Sequence, residues 1–105
     1  MIDQTIIDKA TELLREAAQP RKIILFGSHA RGEASQESDV DFLVVEADVR
    51  DRIAEMTRLN RVLSPLRISA DLLVVSQEMF DYWATTPGNV YFAAIRDGKV
   101  LYEAA

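Results

Sequence analysis

The sequence predicts an α/β layer domain in which strand-forming runs alternate with amphipathic helices. Short apolar runs, such as residues 22–26 and 40–45, are rich in β-branched side chains and favour strands. The longer segments around them repeat apolar residues at steps of three or four, which favours helices. The chain has 105 residues and shows no repeat or linker-like stretch. We therefore expect a single domain over residues 1–105.

Four segments carry helix signals. Asp3 can cap the first helix, which ends before Pro20, and Pro65 ends the second. Ser76 can cap the third, and the loop 85–89 separates it from the fourth. The predicted bounds are residues 3–18, 49–63, 77–84 and 90–95.

Four shorter runs predict strands. Each is apolar and β-prone, and turn residues or helix ends bound it. The first two, separated by a polar stretch, look like neighbours in a sheet. The predicted bounds are residues 22–26, 40–45, 67–75 and 99–102.

The composition restricts the function classes. A formal net charge of −5 argues against a general nucleic-acid binder, because binding to a phosphate backbone depends largely on lysine and arginine. The apolar runs are too short to span a membrane, and no secretory signal is visible. The chain has no cysteine, which fits a cytoplasmic protein. With only one histidine, any metal must be held mainly by oxygen, which favours Mg²⁺ or Mn²⁺.

A short polar segment, residues 27–32, directly follows the first strand. Gly27 allows a phosphate to approach the backbone, and the N–H groups of a short helix starting here, with the Ser28 hydroxyl, would donate to an anion. Gly32 can close that helix. The same residues also fit a tight turn in which Ser28 is only a helix cap.

Two aspartates flank Val40 at the start of the second strand. Side chains two apart on a strand share a face, so Asp39 and Asp41 can point together at metal ions. Two like charges on one face are unfavourable unless a cation compensates them. The alternative is a strand that begins at Val40 with solvated acids at its mouth.

A third aspartate, Asp71, interrupts the apolar run 68–75. A charged residue inside a buried strand needs a partner. A metal ion would be such a partner, and so would an arginine. Three carboxylates and a phosphate-binding turn are the groups that two-metal phosphoryl transfer requires.

The run GSHARGEASQESDVDFLVV, residues 27–45, resembles the signature of the polymerase-β-like nucleotidyltransferase superfamily. In that signature a Gly-Ser pair precedes Asp-x-Asp, and a third aspartate lies on a later strand. The closest resemblance is to its minimal branch, the MNT antitoxins of HEPN/MNT toxin–antitoxin pairs. It covers nearly the whole chain, through GKVLYE at residues 98–103. It implies a small nucleotidyltransferase fold, a mixed sheet flanked by helices.

The resemblance also implies an activity and a set of roles. Asp39, Asp41 and Asp71 would be the catalytic metal ligands, holding two Mg²⁺ ions or Mn²⁺. Gly27 and Ser28 would hold the β- and γ-phosphates of ATP or another NTP. AMP would then pass from ATP to a tyrosine of a cognate HEPN-type RNase toxin, in a hetero-oligomer.

Two other functions stay open. The chain could neutralise its partner by complex formation alone, or it could modify a small molecule. The second is disfavoured because we expect no room in the chain for an acceptor-binding domain.

Other polar and aromatic residues allow more than one interpretation. Arg31 could contact the triphosphate, or it could pair with Glu33 or Glu37. We interpret His29 as a solvent-exposed loop residue outside the catalytic set. We expect most of the aromatic residues in the last third to be core, with an exposed remainder available to a partner. These are Phe80, Tyr82, Trp83, Tyr91 and Phe92.

Overall fold

The computed structural model of the protein describes residues 2–35 and 38–105, which form five α-helices, four strands and one short 3-10 helix. The 3-10 helix is Ser64–Leu66. In chain order the other elements are α1 (Gln4–Ala18), β1 (Lys22–Phe26), α2 (Gly27–Arg31), β2 (Val40–Glu46), α3 (Arg52–Leu63), β3 (Ala70–Ser76), α4 (Gln77–Ala84), α5 (Val90–Asp97) and β4 (Lys99–Glu103).

The four strands form one mixed sheet in the order β3-β2-β1-β4. β1 pairs antiparallel with both β2 and β4, whereas β2 and β3 run parallel. A parallel pair needs a crossover connection, and α3 supplies it. The predicted α/β class, with a mixed sheet flanked by helices, is confirmed.

Both faces of the sheet are buried, so the strands carry continuous apolar runs. On one face α1 and α3 pack over strand residues that include Val40, Phe42 and Val44. On the other face Phe80 of α4 and Tyr91 of α5 pack over the intervening strand residues. The central strand β2 therefore contributes to two cores.

Side-chain caps define the helix starts. Asp3 accepts a hydrogen bond from the backbone N–H of Ile6 at 3.0 Å, and Ser76 accepts one from Met79 at 3.2 Å. These caps agree with the predicted starts. Asn89, which we assigned only to a loop, caps α5.

Two predicted starts are wrong by three residues, and the other predicted bounds differ from the structure by at most two. The second helix begins at Arg52 and not at residue 49, because Asp51 is its cap and accepts from the Ala54 N–H. The third strand begins at Ala70 and not at residue 67, because the backbone at Arg67 is left-handed, with φ of 52°.

A pair of glutamates ties α3 to the sheet at the far end of β2. Glu46 contacts Glu55, and within the described chain its buried Oε2 has no hydrogen-bond partner. Arg58 donates two hydrogen bonds to the Glu55 carboxylate and one, of 3.0 Å, to the Ala17 carbonyl of α1. Burial and the neighbouring Glu55 raise the pKa of Glu46 to about 8. Hydrogen bonds from Arg58 and Glu46 lower the pKa of Glu55 to about 2.

No helix within residues 2–35 and 38–105 combines the length and the apolar character that crossing a bilayer requires.

The Glu46 carboxyl makes stability depend on pH. Between about pH 5 and about pH 8 the folded protein keeps a proton that the unfolded chain releases, so the free energy of unfolding should fall as pH rises. The Glu46→Gln variant keeps a donor toward Glu55 but has no proton to release, so its decline should be shallower. Urea unfolding across this pH range measures both. The exposed Glu78→Gln is the control, and equal slopes for Glu46→Gln and wild type would contradict the assignment.

Candidate active site

The parallel register of β2 and β3 places two of the three aspartates side by side. Asp41 and Asp71 are each the second residue of their strand, and they are direct Cα partners. Asp41 is half-buried and Asp71 is exposed. The expectation that Asp71 is buried inside an apolar strand is therefore wrong, because β3 lies at the edge of the sheet and Asp71 near its start.

Asp39 lies just outside the sheet and is exposed, since β2 begins at Val40. Its Oδ1 accepts a hydrogen bond from the Ser69 hydroxyl, and the Val40 N–H donates to the Ser69 carbonyl at 3.0 Å. Ser69 therefore fixes the segment before β2 to the segment before β3. Sequence analysis did not identify Ser69, because nothing local marks a contact between residues 30 positions apart.

Gly27 leaves the space that the Asp41 carboxylate occupies. Phe26, the last residue of β1, pairs with Asp41, so the chain turns into α2 directly beside that carboxylate. A Cβ atom on Gly27 would overlap Asp41 Oδ2 and lie 3.1 Å from Cγ. Gly27 also has φ of 74°, a left-handed conformation that glycine adopts without strain.

The short helix α2 begins without a side-chain cap. Its N-cap position is Phe26, so Ser28 lies inside the first turn and is not the cap. The backbone N–H groups of this turn and the Ser28 hydroxyl are donors available to an anion. Gly32 closes the helix in the left-handed conformation, as predicted, and its N–H donates to the Ser28 carbonyl.

The carboxylates in the site repel one another. Burial, and then the neighbouring Asp71 and Asp39, raise the pKa of Asp41, while His29 acts in the opposite direction. The ionised site is therefore short of positive charge. A divalent cation would supply it, and carboxylate oxygens are the ligands that hard cations prefer.

The three aspartates do not converge as they stand. Among the described residues no group of three or more Asp, Glu, His or Cys side chains is arranged to hold a metal ion. Asp41 and Asp71 are adjacent, but Asp39 is bonded to Ser69. The donor types fit a divalent ion, and Asp39 accepts from Ser69 through only one of its two carboxylate oxygens, Oδ1.

His29 and Arg31 both lie on α2. The prediction for His29 is wrong, whereas Arg31 adopts one of its two predicted arrangements. His29 is half-buried and not solvent-exposed, and its Nε2 lies 3.3 Å from the Ser38 carbonyl oxygen. This contact holds the chain just before Asp39. Arg31 is exposed and pairs with Glu33 at 3.4 Å, whereas Glu37 lies outside the described residues.

The aromatic residues of the last third divide as predicted. Phe80 and Tyr91 are buried, and Trp83 and Phe92 are half-buried. Tyr82 is 63% exposed. Tyr82 is therefore the exposed remainder that we expect to be available to a partner.

The chain matches known proteins over nearly its whole length. The family model described as polymerase beta, nucleotidyltransferase matches residues 8–105. A Methanocaldococcus jannaschii protein that carries the provisional name protein adenylyltransferase is 32% identical over 82 residues, which is 78% of each chain.

Solved toxin–antitoxin structures share the fold. One, a toxin–antitoxin structure with AMP-PNP, is 25% identical with a TM-score of 0.67, and the match covers 98% of this chain and 75% of the other. Another is a tri-AMPylated Shewanella oneidensis HEPN toxin in complex with MNT antitoxin. That match is also 25% identical, has a TM-score of 0.62, and covers 98% of this chain and 74% of the other.

Substitutions at two glycines distinguish the effect of backbone strain from the effect of a collision with Asp41. Gly27 and Gly32 have φ of 74° and 72°, but a Cβ on Gly32 would meet nothing within 4 Å. Gly32→Ala should cost about 1 kcal/mol of stability from backbone strain alone. Gly27→Ala should cost clearly more, because it also displaces the Asp41 carboxylate. Chemical denaturation of both variants measures the difference, and equal losses would contradict the close approach.

Removing the charge of Asp41 should stabilise the protein when no divalent cation is present. Asp41→Asn relieves the repulsion from Asp71 and the cost of burying a charge. Its melting temperature in a chelating buffer should exceed that of wild type. Asp39→Asn is the control and should show no such gain, because Asp39 is exposed. A lower melting temperature for Asp41→Asn would contradict this account.

Proposed function

The chain belongs to the polymerase β nucleotidyltransferase family, and we propose that it transfers AMP from ATP to a tyrosine hydroxyl of a cognate HEPN-type RNase toxin, acting as its antitoxin. The observation that carries this proposal is the adjacent pair Asp41 and Asp71 beside Gly27, which leaves room for the Asp41 carboxylate at the start of α2. They combine candidate metal ligands with the uncapped start of α2, whose backbone N–H groups can donate to a phosphate.

The similar proteins supply the reaction and the partner. The M. jannaschii relative is provisionally named a protein adenylyltransferase, and the S. oneidensis complex joins an MNT antitoxin to an AMPylated HEPN toxin. AMP-PNP in a further toxin–antitoxin structure supports ATP as the donor. We extend these properties to this chain, as one nucleotidyltransferase domain over residues 1–105 that forms a hetero-oligomer in the cytoplasm.

The metal ligands would be Asp39, Asp41 and Asp71. Nucleotidyltransferases of this family generally use divalent metal ions. We propose two Mg²⁺ ions, which Mn²⁺ could replace. When bound, they would neutralise the charge that develops on the phosphates during transfer.

The remaining residues position the reactants. The backbone at Gly27 and the Ser28 hydroxyl hold the β- and γ-phosphates. Arg31, whose exposed pair with Glu33 stabilises little, contacts the triphosphate as well. The acceptor hydroxyl loses its proton toward Asp71 and its oxygen forms a bond to the α-phosphorus. The bond from that phosphorus to the bridging oxygen breaks, and pyrophosphate leaves with the electron pair.

One observation favours the non-catalytic alternative. Asp39 is hydrogen-bonded to Ser69, and among the described residues the three aspartates form no group arranged to hold a metal ion. A protein that neutralises its partner by binding alone would not need the three carboxylates to converge. The two functions differ in what removal of the carboxylates does.

Mass spectrometry of the partner tests the transfer. Incubation of the chain with ATP, Mg²⁺ and its cognate toxin should add the mass of AMP to the toxin and silence its RNase activity. The double variant Asp39→Asn, Asp41→Asn should lose both effects, because it removes two proposed metal ligands. Exposed Asp8→Asn on α1 is the matched control. A double variant that still neutralises without an adduct would establish the binding-only function, and no adduct from wild type with any NTP would refute transfer.

A further inference from the structure

Ser69 lies on the same side of the sheet as the three aspartates. Asp41 and Asp71 are direct partners, and one residue earlier the Val40 N–H donates to the Ser69 carbonyl, which extends the pairing of the two chain segments to Ser69 and Asp39. Side chains two apart on a strand share a face. The hydrogen bond from the Ser69 hydroxyl to Asp39 shows that this alternation continues beyond the strand starts. The group therefore has four members, and Ser69 is its one hydroxyl.

The backbone around Asp39 is held without help from that hydroxyl. Before Asp39, His29 Nε2 lies 3.3 Å from the Ser38 carbonyl oxygen. After it, the bond of 3.0 Å from Val40 to Ser69 joins main-chain atoms only. The Ser69 side chain is exposed, and its hydroxyl donates to Asp39 Oδ1. Removing the hydroxyl would therefore free the Asp39 carboxylate and leave the strand pairing in place.

The hydrogen bond leaves the Asp39 carboxylate able to bind a cation. A carboxylate has two oxygens and about four lone-pair sites, and the hydroxyl occupies one site on Oδ1. Asp39 is exposed, so without this bond its side chain would exchange among staggered rotamers. After burial and Asp71, the charge of Asp39 is a further cause of the raised pKa of Asp41, which indicates that the carboxylates lie within electrostatic reach of one another.

We propose that Ser69 is a positioning residue of the site, whose hydroxyl holds Asp39 through Oδ1 and leaves Oδ2 to bind the divalent cation. This inference rests on the proposed function, because it requires Asp39 to be a metal ligand. Groups that hydrogen-bond to a metal ligand fix its orientation, and their removal weakens metal binding by about tenfold to a hundredfold. Ser69 acts through Asp39 and does not contact the cation.

Two β-branched substitutions test the hydroxyl alone. Ser69→Thr and Ser69→Val differ only in a hydroxyl against a methyl group, and both suit an extended segment. Ser69→Val should weaken Mn²⁺ binding by about tenfold or more, whereas Ser69→Thr should bind like wild type. Titration of the chain with Mn²⁺, followed by electron paramagnetic resonance of the free ion, measures the affinity. Ser64→Ala is the control, because this hydroxyl lies in the same connecting segment but donates to the Arg61 carbonyl at 2.7 Å.

The Mg²⁺ dependence of AMP transfer to the intact cognate toxin distinguishes positioning from a structural role. Ser69→Val should need about tenfold more Mg²⁺ for half its maximal rate and should approach the wild-type rate when Mg²⁺ is saturating. Circular dichroism checks folding, and Ser69→Ala replaces Ser69→Val if the valine variant unfolds.

Three results would overturn the inference. They are equal Mn²⁺ affinities of the valine and threonine variants, no Mn²⁺ binding by wild type, and a loss of rate that excess Mg²⁺ does not restore. Absence of transfer by wild type at every Mg²⁺ concentration would refute the proposed function itself. Transfer by wild type together with equal Mn²⁺ affinities would refute only the role of Ser69.

Discussion

The parallel pairing of β2 with β3 is the constraint on which the site depends. It sets Asp41 and Asp71 side by side, although 30 residues separate them in sequence. The crossover through α3 makes this pairing possible, and the core on each face of the sheet holds it in register. The hydrophobic packing therefore keeps the two carboxylates together although their like charges repel each other.

The concentration of negative charge in the site therefore lowers the stability of the folded protein. The cost is local, because β2 is buried on both faces from Phe42 to Val45 and the aspartates of the site lie at its start. Gly27 makes room for the Asp41 carboxylate, and the uncapped start of α2 beside it carries backbone N–H donors. A ligand that brings cations and phosphate would neutralise the carboxylates and accept hydrogen bonds from the start of α2.

Sequence signals identified the elements whose determinants are local. β1, α1 and α4 have the predicted bounds within one residue, because short apolar runs and the caps Asp3 and Ser76 specify them. The start of β3 could not be predicted from such local signals. Strand residues continue only where a partner exists, and β2 offers none before Val40. The exposure of Asp71 depends on the same pairing, and so does its position at the sheet edge.

The segment between α3 and β3 fixes this geometry through its length. It contains the 3-10 helix Ser64–Leu66 and the left-handed Arg67, and it delivers Ala70 opposite Val40. Side chains alternate between the faces of a sheet, so a shift of one residue would turn Asp71 to the opposite face. An insertion or deletion there would separate the carboxylates without altering either one. A connecting segment that contributes only Ser69 to the contacts of the aspartates is therefore as much a determinant of the active site as the aspartates themselves.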